Sequence, residues 1–251
     1  MRNLIAQAKH ALQQRRQSKN LLGFLHIPKT AGTSLVQALA ENFAPDRVLR
    51  DDDFDSIVPA TMQKDYDFVH GHVGMDVLAP VATQVVTLVR EPTDRIISLY
   101  NYWRTVPIEN ATVFEGGLID PGVTLAKELS FRDFVECGHQ RVLNDIENGQ
   151  AFQIATSNKD AGRLALRGHS EEEIFARCQA NLAQMTAVGV VDHLSRFKQD
   201  LRRRTGIKLN MQRQNVTRER WVAREDLPDD LARYIRRLTE IDYRVYELLK
   251  L

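Results

Sequence analysis

Three groups of residues in this chain have the types and spacing to do chemistry. The first is His26-Ile27-Pro28-Lys29-Thr30-Ala31-Gly32-Thr33-Ser34, which sets a lysine, a glycine and three hydroxyls between an apolar run and a helical one. Free N–H groups at a helix start, with the helix dipole behind them, attract an anion. Gly32 lets the backbone approach closely and Lys29 adds a point charge. The loop differs from that of nucleotide triphosphatases, which carry Gly-Lys-Ser/Thr at the helix start; here the lysine precedes the glycine by three positions. Taken alone, such a turn is equally an ordinary strand-to-helix connection with a solvated lysine.

The second group runs from Val85 to Ser98. It puts Arg90 at the end of an apolar strand, and ligands of parallel sheets bind at the carboxyl ends of strands. Arg90 can fork onto a phosphate while Ser98, inside the following helix, adds a hydroxyl. The plainer alternative pairs Arg90 with Glu91 or Asp94 and leaves Ser98 on a helix face. The third group is His70-Gly71-His72 at another strand end. Extended backbone would point both imidazoles to the same side, and an unshifted imidazole with a pKa of about 6.5 can act as a base. By itself a His-x-His pair is more often structural, or half a metal site, than catalytic.

Elements that could hold these groups follow from the apolar pattern. Leu21 to Ile27 is a short apolar run stopped by Pro28, which predicts a buried strand. Ser34 to Ala40 has helical periodicity, so strand, turn and helix open a phosphate-binding α/β unit. Further strands are predicted at Tyr66–His70, Gln84–Val89 and Thr186–Val191, and a helix from Pro92 to about Trp103 because proline suits a first helical turn. Asp192 is predicted to cap another helix, and Pro228–Leu251 to form one long amphipathic helix. Gly116-Gly117, Pro121-Gly122 and Gly149 suggest loops with one or two helices between Thr105 and Arg167, forming a lid or acceptor-binding insertion. Strands alternating with helices give an α/β class: a P-loop-like three-layer α/β/α domain around a central parallel sheet.

The strings themselves resemble a known family. HIPKTAGTS is similar to the 5′-phosphosulfate loop of carbohydrate sulfotransferases that use 3′-phosphoadenosine 5′-phosphosulfate (PAPS). The resemblance implies that Lys29 touches the bridging oxygen between phosphate and sulfonate, while Thr30, Ala31, Gly32, Thr33 and Ser34 hold the 5′-phosphate. REPTDRIISLYNYW resembles the same family's 3′-phosphate motif, which implies that Arg90 and Ser98 bind that phosphate and that Arg95 supports the site. The string from Leu209 to Arg218 echoes a late loop that closes over the donor nucleotide, which carries the role to Asn215 and Thr217; a surface turn remains the alternative. HGHV resembles the matching element of heparan sulfate uronyl 2-O-sulfotransferases, which implies His72 as general base and His70 as an acceptor-binding or supporting residue. Other branches of the superfamily use a glutamate, for which Glu41 is the nearest candidate.

Composition neither contradicts nor selects this. The 251 residues carry 43% hydrophobic and 27% charged residues and a net charge of +1, so no global field argues for nucleic acid or membrane. No apolar run is long enough to span a bilayer, and Cys137 and Cys178 make neither a disulfide framework nor a metal cluster. Together these imply a cytoplasmic protein. Residues 1–20 are basic, with Leu4, Ile5, Ala8 and Leu12 at helical spacing; they suit an organelle transit peptide, a membrane-surface helix or, as preferred here, a peripheral helix or extension. Residues 21–251 then make a single sulfotransferase domain, with 105–167 as its insertion.

The expected reaction moves a sulfonate group from PAPS to a hydroxyl of a saccharide or glycolipid, without a metal. Two rivals stand beside it. A kinase using ATP lacks its Gly-Lys-Ser/Thr and a magnesium-binding aspartate at a strand end. A non-catalytic binder of acidic polysaccharide would use the ten basic residues, against two acids, between Arg196 and Arg224, although such a run is ordinarily a solvated helix face.

Overall fold

The computed structural model describes residues 20–50, 54–108, 113–114, 118–211 and 220–250. The basic N-terminal segment, and Asn215 and Thr217 of the late loop, lie outside the described residues.

Five parallel strands form the central sheet: β1 (Leu22–Leu25), β2 (Val48–Arg50), β3 (Phe68–Gly71), β4 (Gln84–Val89) and, after a short antiparallel pair β5 (Val113–Phe114) and β6 (Leu118–Ile119), β7 (Ala187–Val190). Their order is β2-β3-β1-β4-β7. Strands buried on both faces read as unbroken apolar runs, and β1 and β3 are buried at every position. Successive side chains alternate between two cores. Leu25, Val69, Val85 and Val89 pack with α3 (Met75–Leu78), α8 (Gly149–Ala155), α10 (Glu171–Gln184) and α13 (Glu240–Lys250). Leu22, Phe24, Phe68, Val86 and Leu88 face α1 (Gly32–Ala40) and α11 (Leu194–Thr205). The three-layer α/β/α architecture expected from the sequence is therefore present.

Register brings the site together. Leu25 stands level with Gly71 of β3 on one side and Thr87 of β4 on the other. The turns that follow, beginning at His26, His72 and Arg90, consequently leave the sheet along one edge.

Three local expectations are corrected. Among the described residues between Thr105 and Arg167 there are five helices: α5 (Pro121–Glu128), α6 (Phe131–Glu136), α7 (Gln140–Ile146), α8 and α9 (Lys159–Ala165). The Pro121-Gly122 and Gly149 signals mark helix starts rather than loops, while Gly116-Gly117 lies outside the described residues. Pro121 and Gly122 open α5 behind an Asp120 cap, and Gly149 opens α8 behind Asn148 in the left-handed region. α5, α6 and α7 build a further core with α4 (Pro92–Thr105) and α12 (Asp229–Leu238), whereas α8 belongs to the sheet's own core.

The C-terminal stretch is two helices, α12 and α13, broken at buried Thr239, whose hydroxyl bonds the Ile235 carbonyl. The break lets two helix starts cap each other. Asn148 Oδ1 accepts from the N–H groups of Ile241 and Asp242, while the Asp242 carboxylate accepts from those of Gln150 and Ala151. Asp192 does not cap α11; it lies in a 3₁₀ turn and accepts a bond from the Tyr246 hydroxyl at 2.7 Å.

Candidate active site

The turn from β1 into α1 is shaped by its own residues. Thr30 is fully buried and its hydroxyl donates to the Ile27 carbonyl at 2.8 Å, closing the turn. Lys29 and Ala31 both have left-handed backbone, with φ of 69° and 61°. Non-glycine residues rarely adopt it, and such strain gathers at functional turns. Ala31 precedes α1 without a side-chain cap, so the first-turn N–H groups have no internal oxygen from that position. Thr33 is exposed and Ser34 half-buried at this helix start.

Gly32 has a reason that the sequence did not show. A Cβ placed on it would lie 1.9 Å from Nε2 of His26, so the glycine is required by an imidazole packed against it. His26 stacks on Phe24 at 5.3 Å and meets the edge of the His72 ring at 4.5 Å. His70, 6% exposed, packs against Phe68 at 5.2 Å. His70 is thus an interior residue, and the half-buried His72 stands beside His26, at the start of the turn that carries Lys29. Sequence reasoning includes His26 in the first motif but gives it no role; its position two residues beyond Phe24, on the continuation of β1, was the available signal.

The β4–α4 turn supplies the second half. Arg90 Nη1 donates to the Lys29 carbonyl at 3.3 Å, tying the two turns directly. Glu91 caps α4 by accepting from the Asp94 N–H, and it also receives the Tyr243 hydroxyl and an ion pair from Arg224 at 2.8 Å. Glu91 therefore bonds Tyr243 and Arg224 and acts on Arg90 only through its charge, together with Asp94 and Asp192. Arg95 is 1% exposed; it donates to the Asp145 carbonyl and lies 3.9 Å from Asp242, an internal position from which it braces the helix. Burial pushes the Asp242 carboxyl up, against the pull of Arg95. Ser98 is half-buried two turns into α4.

Lys29 projects onto α4. Its Nζ lies 3.6 Å from the centroid of the Tyr102 ring. Burial first, and then Arg90, push its pKa down to about 8, and burial likewise lowers Arg90. Two cations drawn together and partly stripped of water favour an anion between them. Glu41, by contrast, is exposed at the far end of α1, about 13 Å along the helix from its start. That distance removes it as a base at this turn.

A family model described as the sulfotransferase family matches residues 14–248. The chain belongs to the sulfotransferase family. The mouse sulfotransferase SULT7A1, crystallised in complex with PAP, is similar to this sulfotransferase at 12% identity over 95% of this chain and 92% of that one, with a TM-score of 0.40. No curated protein matches the chain.

Two glutamines that sequence reasoning missed brace the sulfotransferase's site from behind. Gln150 accepts from the Arg90 N–H at 3.0 Å and donates to the Arg90 carbonyl at 2.9 Å. Gln153 donates to the carbonyls of His26 and Val73 at 3.0 and 3.2 Å. Both lie on α8, in a region whose punctuation suggested loops, so no local signal pointed to them. Gln150→Leu should leave both main-chain groups of Arg90 unpaired at about 1–3 kcal/mol each. We expect the thermal midpoint to fall by several degrees, at about 2–4 °C per kcal/mol for a domain of this size. An unchanged midpoint would mean that water replaces the amide.

Proposed function

We propose that this sulfotransferase moves the sulfonate of PAPS onto a hydroxyl of a saccharide or glycolipid acceptor, with His72 as general base. The observation that carries this reading is the convergence of the Lys29 and Arg90 turns, joined by the bond from Arg90 to the Lys29 carbonyl, with His72 reached through His26 and Gly32.

In this reading Ala31, Gly32, Thr33 and Ser34 offer the 5′-phosphate the open start of α1, on a loop held in shape by Thr30. Arg90 and Ser98 take the 3′-phosphate. The acceptor oxygen attacks sulfur in line, forming its O–S bond as the bond from sulfur to the bridging oxygen breaks. The acceptor proton passes to His72, and the electron pair stays on adenosine 3′,5′-bisphosphate, where Lys29 stabilises it. His70 supports His72 from the core. Asn215 and Thr217 are assigned to closure over the nucleotide.

The basic run does not favour a separate polyanion-binding role. Arg202, Arg203 and Arg204 occupy the last turn of α11, where cations suit the helix dipole. That turn lies near the end of α1 remote from the site, since Asn42 reaches the Lys208 carbonyl. Arg224 is tied to Glu91 and Asp94.

A cytoplasmic setting is proposed with the activity. Cys137 and Cys178 are free thiols, burial holding Cys178 at about 12, and no helix among the described residues is long and apolar enough to cross a membrane.

Incubating the protein with PAPS labelled in the sulfonate and a panel of saccharides and glycolipids tests the reaction; label in none of them would sink the acceptor class. A sulfonate carries less charge than a phosphoryl group, so a metal clamp has less to neutralise. Turnover is therefore expected to survive EDTA. A steep loss restored by magnesium would contradict this.

A further inference from the structure

We propose that Tyr102 is a positioning residue for Lys29: its ring face holds the lysine ammonium charged and at the mouth of the donor site. This rests on the donor reading above, and extends it to a residue to which neither motif assigns a role.

Tyr102 lies four residues after Ser98, so both side chains project from one face of α4. That face looks toward the turn carrying Lys29. Tyr102 is 45% exposed, between buried neighbours, Asn101 at 4% and Trp103 at 5%. Its face is covered by Lys29 Nζ at 3.6 Å, well inside the range at which an ammonium is drawn to an aromatic quadrupole.

The contact answers a conflict in the site. Lys29 can stabilise a leaving oxygen only as an ammonium. Yet its surroundings favour the neutral amine, through burial and through Arg90 from the β4–α4 turn. The carboxylates of Glu91, Asp94 and Asp192 act on Arg90, whereas burial and Arg90 are what act on Lys29. On the other flank, beyond Gly32, stand the imidazoles of His26 and His72. Among these groups the Tyr102 ring supplies the contact that favours the charged lysine. Lys29 has left-handed backbone, and its side chain reaches the ring on α4. An incoming anion then competes with the ring for the ammonium.

The test uses the full chain with Tyr102→Leu and Tyr102→Phe; the residue is exposed, so neither replacement opens the core. Reductive ¹³C-methylation makes each lysine visible by NMR, with Lys29→Arg identifying the Lys29 signal. We expect that signal upfield of the other lysines in wild type and Tyr102→Phe, and back among them in Tyr102→Leu. In unmethylated enzyme, the alkaline limb of kcat/KM for PAPS should move to lower pH in Tyr102→Leu alone. At a pH near 8 its kcat/KM should fall by a factor of roughly two to thirty. A Lys29 signal and a pH profile in Tyr102→Leu that match wild type would overturn the proposal.

Adding adenosine 3′,5′-bisphosphate separates the two readings. If it leaves the wild-type Lys29 signal unmoved while Tyr102→Leu shifts it, the donor assignment fails and the positioning role stands. If the nucleotide moves the signal but Tyr102→Leu does not, the positioning role fails alone.

Discussion

His72→Ala should lower turnover by about 10²–10⁴-fold, the range that a positioned general base contributes, while affinity for adenosine 3′,5′-bisphosphate stays nearly unchanged. The geometry separates the two effects. His72 meets the donor turn through the His26 ring, at 4.5 Å, and belongs to neither the Lys29 loop nor the Arg90 turn. The sign of the pH dependence follows from the chemistry. A base works neutral, so activity is lost as pH falls through the imidazole pKa, about 6.5 when unshifted. Wild type should show that acid limb in kcat/KM, and His72→Ala should lack it. The alkaline limb has another origin: Lys29, held at about 8, loses its proton as pH rises, and His72→Ala should retain that limb.

His70→Ala is a useful contrast. The ring is 6% exposed against Phe68, so its removal opens a cavity and should act first on stability. If His72→Ala keeps wild-type turnover and the acid limb, the base lies elsewhere. His26 would then be the residue to examine, since Glu41 sits at the wrong end of its helix.

Arg90→Ala is expected to weaken the preference for adenosine 3′,5′-bisphosphate over 5′-AMP by roughly tenfold or more, from the loss of a charge-assisted contact of about 1.5–3 kcal/mol. Wild type should bind the bisphosphate far more tightly, because the second phosphate is what Arg90 and Ser98 are assigned to hold. Three features suit Arg90 to that role. It is partly buried, it is oriented through its backbone by Gln150, and one nitrogen of its fork is joined to the Lys29 carbonyl. Calorimetry on both nucleotides measures the preference directly. Equal affinities in wild type would remove the clamp assignment. Equal losses for both nucleotides in Arg90→Ala would show that the arginine acts on the loop rather than on the 3′-phosphate.

What could be read from the sequence was local. The start of α4 at Pro92 and the extent of β4 at Gln84–Val89 depend on neighbours in the chain, and the structure repeats them; β1 forms inside its predicted run but ends at Leu25, before Pro28. The strand-turn-helix setting of Lys29, and the place of Arg90 at the end of β4, were equally legible, because a charge beside a helix start is a short-range arrangement. The same locality explains the misreadings. Pro121, Gly122 and Gly149 looked like loop signals because a helix start and a loop use the same residues. Thr239 carries no helix-breaking signal; α12 and α13 part there because Asn148, far away in sequence, caps the second helix.

Tertiary structure alone decided which side chains meet. Gly32 is a glycine because of His26, and His26 meets His72 because β1 and β3 pair in parallel with Leu25 level with Gly71. Lys29 lies on Tyr102, and Gln150 and Gln153 grip the ends of β4 and β1 from a helix 60 and 127 residues further along the chain. Propensity, capping and charge act over a few residues, and so can be read from a string. Register and crossing geometry are set by the burial of two whole sheet faces at once, and only the folded chain assigns a side chain its neighbour.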